Sequence, residues 1–251
     1  MFNLPVNLRV VWPGFLGGED GASGPGGRFG PGLDRIAAYM IITGKELSWV
    51  LTCYVLGCFT TGYYWVRWRT GRDVRGEGSG NVGARNVGRV TGPSGFVVTL
   101  LLDVLKGGLA VVGARYFQMS PELQTASLIA VILGHNWPCQ LRFHGGKGVA
   151  VSLGALLVYD WFVLVVLLVV FLPHWLFTRN FMVSGMLAYA LAPLLVFMSG
   201  LSPLQTFAMS ITSMLVVFAH RKNIREEVGV MLSDRTGKQS ATRPPPEQRT
   251  S

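Results

Sequence analysis

The segment Asp160-Trp-Phe-Val-Leu-Val-Val-Leu-Leu-Val-Val-Phe-Leu-Pro-His-Trp-Leu-Phe177 holds no acidic residue, lysine or arginine after Asp160. Two further segments without any charged residue follow it, at 181–199 and 201–219. Each is close to the roughly 20 residues that a helix needs to cross about 30 Å of hydrocarbon. A soluble domain of this length would have to bury all three helices on every face. The pattern therefore predicts an all-α, polytopic integral membrane protein.

The same criterion applied along the chain predicts about seven transmembrane helices. They are placed at residues 46–65, 94–116, 123–141, 149–159, 161–177, 182–199 and 203–220. The fourth is short for a full crossing. With the N-terminus outside, the inner connecting segments carry most of the arginine and lysine residues, and the outer turns carry almost none. The positive-inside rule then predicts an external N-terminus and a cytoplasmic C-terminus.

The two ends of the chain differ in composition from the membrane domain predicted over 46–232. Residues 1–45 include a stretch rich in glycine and proline with little that can pack, so we expect a disordered extension. Residues 233–251 contain the polar run Arg-Pro-Pro-Pro-Glu-Gln-Arg. We expect them to form a disordered cytoplasmic tail.

The formal charge of +9 suits nucleic acid, anionic lipid or acidic substrates. Because the charge lies in the loops of a membrane protein, we predict membrane lipid as a partner and no nucleic acid. Cys53, Cys58 and Cys139 show no Cys-x-x-Cys spacing, and the four histidines form no His-Glu-x-x-His pattern. We therefore predict no disulfide framework, no metal site and no cofactor.

The stretch Arg142-Phe-His-Gly-Gly-Lys-Gly-Val-Ala150 interrupts the apolar runs. Its central Gly-Gly-Lys-Gly, residues 145–148, is called the glycine loop below. Glycines allow successive N–H groups to point inward as a nest, and Lys147 supplies a cation. The loop therefore predicts a phosphate-binding turn at the cytoplasmic surface. An ordinary basic loop between two spans is the alternative.

A second polar cluster is Gly78-Ser-Gly-Asn-Val-Gly-Ala-Arg-Asn-Val-Gly-Arg89. Its glycines allow tight turns, and Ser79 and Asn81 offer short hydrogen-bonding groups. Arg85 and Arg89 can each donate two hydrogen bonds to one phosphate. The cluster indicates either a phosphate-binding loop or a turn-rich interfacial loop.

Asp103 and Lys106 lie inside a predicted span, three residues apart, and so share one helix face. Charges at this depth face a protein interior or a wet cavity. The two residues form either an ion pair that fixes helix packing or a site in which Asp103 holds Lys106 towards a substrate anion.

Two histidines stand near the cytoplasmic ends of predicted spans. Pro138 breaks the regularity of one span, which lets His135 and Asn136 turn towards a site, although a buried core histidine is equally consistent with the pattern at His135. His220 and Asn223 are about one helical turn apart and face together at the end of the last span. An interfacial cluster of polar side chains would look similar.

In combination, these clusters resemble the bacterial acyl-phosphate:glycerol-3-phosphate acyltransferase family, known as PlsY. The family's patterns are Gly-Ser-Gly-Asn-x-Gly-Ala-x-Asn-x-x-Arg, Asp-x-x-Lys-Gly, Gly-His-x-x-Pro followed by Gly-Gly-Lys-Gly-Val-Ala, and His-x-x-Asn-Ile. They occur in the family's order at residues 78–89, 103–107, 134–150 and 220–224. The chain departs from the family at Arg85 and Val151, where threonine is usual, and at His144, where lysine is usual.

The resemblance implies an enzyme of the bacterial inner membrane with its active site on the cytoplasmic side. Its reaction would move a fatty acyl group from acyl phosphate to the 1-hydroxyl of glycerol 3-phosphate, giving lysophosphatidic acid and phosphate for phospholipid biosynthesis. The implied catalytic residues are Ser79, Lys106, His135, His220 and Asn223. The implied substrate-binding residues are Asn81, Arg85, Arg89, Gly145, Gly146, Lys147 and Gly148.

The alternative is a transporter or a non-catalytic binding protein for a phosphorylated small molecule or lipid. Intramembrane charges and a basic vestibule would suit a transporter. Against it, the polar clusters gather at one membrane face, and no inverted repeat is visible. No histidine has an aspartate five positions later, so for the enzyme we expect the substrate's own phosphate to take up the proton.

Overall fold

The structure is a computed structural model and describes residues 44–225. Every regular element in that range is helical, as the apolar pattern predicts. Two short 3-10 turns lie at Val74–Gly76 and Cys139–Leu141. The α-helices are α1 Gly44–Cys58, α2 Thr61–Thr70, α3 Ala84–Thr91, α4 Pro93–Tyr116, α5 Pro121–Asn136, α6 Val149–Tyr159, α7 Trp161–Thr178, α8 Phe181–Met198 and α9 Pro203–Ala219.

The extension predicted over 1–45 and the tail predicted over 233–251 lie outside the described residues, apart from Gly44 and Lys45, which open α1. Among the described helices, α4, α7 and α8 are long and apolar enough to cross a membrane, and α6 and α9 are shorter apolar helices. Large apolar side chains such as Leu101, Val169 and Phe197 are exposed on their outer faces. This surface suits lipid, and the chain is an integral membrane protein.

Five predicted spans coincide with α4, α6, α7, α8 and α9 to within one residue at each end. The span predicted over 123–141 is shorter, because α5 ends at Asn136. The residue after α5, Trp137, has a φ of −130°. It precedes Pro138, and the residue before a proline is disfavoured in helical conformation. The helix therefore ends five residues before the end that its apolar composition predicts.

The span predicted over 46–65 is two helices, because α1 ends at Cys58 and α2 begins at Thr61. A break in a membrane helix frees carbonyl groups that need a donor inside the protein. The ammonium group of Lys106 supplies one, since its Nζ lies 2.8 Å from the carbonyl oxygen of Phe59. A buried residue of α4 thus stabilises the break.

The polar segment between α2 and α4 contains a short helix, α3, that the sequence analysis did not predict. Few of its residues are apolar, so its sequence gives only a weak helical pattern. Val87 of α3 is fully buried with Val66, Val74 and Val82 in a small core of its own. This core fixes the polar cluster 78–89 to the end of α2.

Glycines allow α4 and α6 to cross in close contact. A Cβ atom on Gly107 would lie 2.0 Å from the carbonyl oxygen of Val151. One on Gly154 would lie 1.9 Å from the carbonyl oxygen of Val104. Small residues at helix crossings let backbones approach closely within a membrane. Each helix therefore contributes a glycine to the same crossing.

The crossing of α1 and α5 is built in the same way. A Cβ atom on Gly57 would lie 2.2 Å from the carbonyl oxygen of Val131, and one on Gly134 would lie 2.0 Å from that of Tyr54. Gly57 and Gly134 stand next to the break after α1 and to His135, respectively. The two crossings position the polar residues that lie between the four helices.

We predict that Gly154→Ala destabilises the protein by about 1–3 kcal/mol, because the new methyl group meets backbone that cannot give way. The matched control is Gly185→Ala in α8, where a Cβ atom has nothing within 4 Å. That change should stabilise α8 by up to about 1 kcal/mol through helix propensity. Thermal unfolding in detergent measures both variants, and equal melting temperatures would contradict the proposed crossing.

Candidate active site

Asp103 and Lys106 form a buried ion pair at the centre of the helices. The Lys106 Nζ atom lies 2.8 Å from Asp103 Oδ1, 2.8 Å from the Phe59 carbonyl oxygen and 3.0 Å from His135 Nδ1. The hydroxyl group of Thr61 donates to Asp103 Oδ1 at 3.2 Å. The pair therefore connects α1, α2, α4 and α5. These contacts match an ion pair that fixes helix packing, and a reach of Lys106 towards a substrate anion stays a prediction.

The glycine loop is attached to the end of α5 by two backbone hydrogen bonds. The N–H of Gly145 donates to the Asn136 carbonyl at 3.1 Å, and the N–H of Gly146 donates to the His135 carbonyl at 2.9 Å. The expectation that successive glycine amides face a phosphate is thus wrong for these two groups. They fix the loop instead. A Cβ atom on Gly146 would lie 1.9 Å from His135 Nε2, so glycine is required there.

The start of α6 supplies further donors beside the loop. Gly148 precedes this helix with a φ of 78°, and its carbonyl accepts the first helical bond, from Ser152 at 2.8 Å. The first N–H groups of a helix lack acceptors within it, and they carry a partial positive charge. Such a terminus suits an anion.

Asn136 lies behind this helix start and was not predicted as a site residue. Its side chain is buried, and within the described residues neither Oδ1 nor Nδ2 has a hydrogen-bond partner. A Cβ atom on Gly148 would lie 2.9 Å from Asn136 Oδ1. In the sequence, Pro138 indicated that Asn136 turns towards a site together with His135, but assigned it no role.

The polar residues that follow α9, at 220–224, contact the glycine loop directly. Lys147 Nζ donates to Asn223 Oδ1 at 2.5 Å. His220, one turn before Asn223, is buried, with its Nδ1 atom 2.8 Å from the Val216 carbonyl oxygen. The structure therefore brings together the end of α9 and the start of α6, which are separated by more than 50 residues in the sequence.

Asn86 organises the cluster 78–89. Its Oδ1 atom accepts from the N–H of Ser79 at 2.8 Å, and its Nδ2 atom donates to the carbonyls of Glu77 and Asn81, both at 2.9 Å. Gly78 has a φ of 56°, and a Cβ atom there would lie 2.3 Å from Asn86 Oδ1. Asn86 is thus a structural residue that the sequence analysis did not single out.

Arg75 links this cluster to the turn before the glycine loop. Its Nη1 atom donates to the Leu141 carbonyl at 2.9 Å, and its Nη2 atom lies 2.6 Å from Asp73 Oδ2. The hydrogen bonds from Arg75 hold the pKa of Asp73 below its ordinary value. The segment that leads into the 78–89 cluster and the turn before the glycine loop are therefore neighbours.

The remaining predicted residues of the cluster point outward. Ser79, Arg85 and Arg89 are exposed, and Asn81 is half-buried. The Arg85 guanidinium carbon lies 5.9 Å from the centre of the Phe181 ring, at the start of α8. Within residues 44–225, no three histidine, cysteine, aspartate or glutamate side chains are grouped to hold a metal ion.

Buried charges between apolar helices, with donors gathered at helix ends, define a helical integral membrane protein with a polar site. The comparison with known proteins identifies its family. The profile described as glycerol-3-phosphate acyltransferase matches residues 47–228, and the chain belongs to this family.

Individual relatives agree with this assignment. Glycerol-3-phosphate acyltransferase 1 of Desulfitobacterium hafniense (strain Y51) is 43% identical over 182 residues, which cover 72% of this chain and 90% of that protein. The crystal structure of PlsY (YgiH), an integral membrane glycerol 3-phosphate acyltransferase in its glycerol 3-phosphate form, is 32% identical with a TM-score of 0.66. The match covers 78% of this chain and 95% of the PlsY chain. The lysophosphatidic acid form of PlsY gives 31% identity over the same shares, with a TM-score of 0.64.

We predict that Asn86→Ala loosens the 78–89 cluster, since each buried group left without a partner costs about 1–3 kcal/mol. Limited trypsin digestion in detergent should then cut faster after Arg72 and Arg75. The matched control is Asn180→Ala, which removes a hydrogen bond of 3.1 Å to the start of α8. Equal cleavage of the two variants would show that Asn86 does not hold the loop.

Proposed function

We propose that this protein is a membrane acyltransferase that moves a fatty acyl group from acyl phosphate to the 1-hydroxyl of glycerol 3-phosphate. The products are lysophosphatidic acid and phosphate, in phospholipid biosynthesis. The main support is the likeness to PlsY, which is an integral membrane glycerol 3-phosphate acyltransferase in the glycerol 3-phosphate form. The contact between Lys147 and Asn223 adds to it, because it joins two of the polar clusters at one helix start.

The proposed topology has seven crossings, with α1 and α2 together forming the first and α6 the short fourth one. The N-terminus lies outside, the C-terminus is cytoplasmic, and the membrane is the bacterial inner membrane. The basic residues around the loops support this arrangement under the positive-inside rule. Those on the proposed cytoplasmic side include Arg67, Arg69, Arg72, Arg75, Arg85, Arg89, Arg142, Lys147, Arg179, Arg221 and Lys222.

The proposed acyl phosphate site is the start of α6. The first N–H groups of this helix and the Lys147 ammonium group face the phosphate, and Gly148 lets the backbone approach. Gly145 and Gly146 shape the loop through their hydrogen bonds to α5. The acyl chain lies among apolar helices, where its burial is favourable.

The proposed glycerol 3-phosphate site lies beside it, because Asn223 contacts Lys147. Two anionic substrates need two sets of cationic donors, and arginine suits a phosphate through its paired N–H groups. The residues proposed for the glycerol 3-phosphate site are Ser79, Asn81, Arg85, Arg89, His220 and Asn223. Lys106 and His135 support the site from within the protein, because their contacts lie among the helices.

In the proposed reaction, the 1-hydroxyl oxygen of glycerol 3-phosphate attacks the carbonyl carbon of acyl phosphate. A new C–O bond forms, and the bond from that carbon to the phosphate oxygen breaks. The hydroxyl proton passes to the leaving phosphate, so the charges and atoms balance without a protein base. Positioning and the positive groups around both phosphates provide the catalysis.

Purified protein incubated with acyl phosphate and glycerol 3-phosphate should form lysophosphatidic acid, and acyl-CoA should give none. Lys147→Met should lower the rate about 10- to 150-fold, since it removes a charged hydrogen bond worth roughly 1.5–3 kcal/mol. The matched control is Lys45→Met at the exposed start of α1, which should be fully active. Absence of product from the folded protein would instead support a transporter or a binding protein.

We predict that His135→Gln and His220→Gln each keep turnover within a thousandfold of the unsubstituted protein, because the leaving phosphate accepts the proton. Steady-state kinetics with both substrates measures kcat and KM for each variant. A loss of a thousandfold or more in kcat at unchanged KM for either variant would show that the histidine acts as a base.

A further inference from the structure

The two buried histidines of the polar clusters have different partners at the same ring atom. In His135, Nδ1 lies 3.0 Å from the Lys106 ammonium nitrogen. In His220, Nδ1 lies 2.8 Å from the Val216 carbonyl oxygen. One partner can only donate a hydrogen bond, and the other can only accept one.

The Lys106 contact determines where His135 carries its proton. A lysine ammonium group has three N–H donors and no lone pair. Its three nearest acceptors are Asp103 Oδ1, the Phe59 carbonyl and His135 Nδ1, and the Gly57 carbonyl lies further away, at 3.4 Å. An ammonium nitrogen 3.0 Å from His135 Nδ1 can only donate to it. His135 Nδ1 must therefore be the unprotonated, accepting nitrogen. In a neutral ring the proton then sits on Nε2.

The Val216 contact has the opposite effect on His220. A carbonyl oxygen has no hydrogen to give, so Nδ1 of His220 must carry the proton and donate. The lone pair of the neutral ring is then on Nε2. His220 directly follows α9, and Asn223, the partner of Lys147, lies three residues further along the chain.

We infer that His135 and His220 are held in opposite neutral tautomers, and that the Asp103–Lys106 pair sets the one in His135. His135 then presents only an N–H group to the glycine loop and cannot take up a proton there. It is a positioning residue. His220 retains a basic nitrogen and is the one of the two that can accept a hydrogen bond. The roles in catalysis rest on the proposed function, whereas the tautomers do not.

The tautomer of His135 bears on the glycine loop because the ring supports it. Its Nε2 atom occupies the space of a Gly146 side chain, and its own carbonyl accepts the Gly146 N–H at 2.9 Å. A ring that could turn or exchange its proton would disturb the residue before Lys147. The buried ion pair thus acts on the loop through His135.

The tautomers are measurable in the full chain in detergent by NMR with ¹⁵N-labelled histidine. Two-bond couplings from the ring hydrogens show which nitrogen is protonated. The chain has four histidines, so His135→Gln and His220→Gln each remove one signal and assign it. The other two, His144 and His174, have Nδ1 beside a carbonyl oxygen and a hydroxyl oxygen. At neutral pH we expect Nε2–H for His135 and Nδ1–H for His220.

A His135 signal from Nδ1–H, from an imidazolium or from a mixture of tautomers would overturn the inference. This outcome is independent of acyl transfer, so it is distinguishable from a failure of the proposed function. A further test uses the double variant Asp103→Leu/Lys106→Met, which replaces both charged side chains with apolar groups of similar size. It should turn the His135 signal into a tautomer mixture and leave His220 unchanged. An unchanged His135 signal would show that Lys106 does not set the tautomer.

Activity gives a readout that simple loss of packing would not reproduce. Glutamine at position 135 can supply an N–H group, and alanine cannot. We expect His135→Gln to retain at least tenfold more kcat than His135→Ala, with similar yields of folded protein. Equal kcat values for the two variants would contradict a positioning role that works through a donor.

Discussion

The ammonium group of Lys106 has to be neutralised and fully hydrogen-bonded, because an unpaired charge in this interior would cost several kcal/mol. The chain meets the requirement with groups from α4, from α5 and from the break after α1. Asp103 supplies the opposite charge, the break after α1 supplies the Phe59 carbonyl, and α5 supplies the His135 ring. Each partner also needs Lys106, since a freed carbonyl in a membrane needs a donor. The break, the ion pair and the orientation of His135 are therefore one interdependent unit.

The proposed reaction site lies one contact away from this unit. The carbonyl groups of His135 and Asn136, at the end of α5, hold Gly146 and Gly145. The loop then delivers Lys147 and the start of α6 to Asn223. Close glycine crossings join α4 to α6 and α1 to α5, the helices that carry the buried unit and the glycine loop. Rigid support of this kind is what positioning and electrostatic catalysis need.

The sequence predicts the apolar helices well, because their bounds follow from long runs without charge, as in α7. The four polar clusters are found from their composition and from the family's patterns. The break after α1 is not predictable in this way, since the donor that stabilises it, Lys106, is 47 residues further along. Nor does a glycine-rich motif show where its N–H groups point. Gly145 and Gly146 donate to α5 only because Pro138 ends that helix nearby.

The shortness of α6 determines the depth at which acyl transfer would occur. Its 11 residues rise about 1.5 Å each, or about 16 Å in all, roughly half of a hydrocarbon layer about 30 Å thick. In the proposed topology, with Asp160 at the outer face, the loop at the start of α6 would lie below the headgroups, at the level of the lipid tails. At that depth the proposed acyl phosphate would present its phosphate to Lys147 while its methylene groups stay in hydrocarbon. Lifting the chain into water would cost about 0.8 kcal/mol for each methylene group.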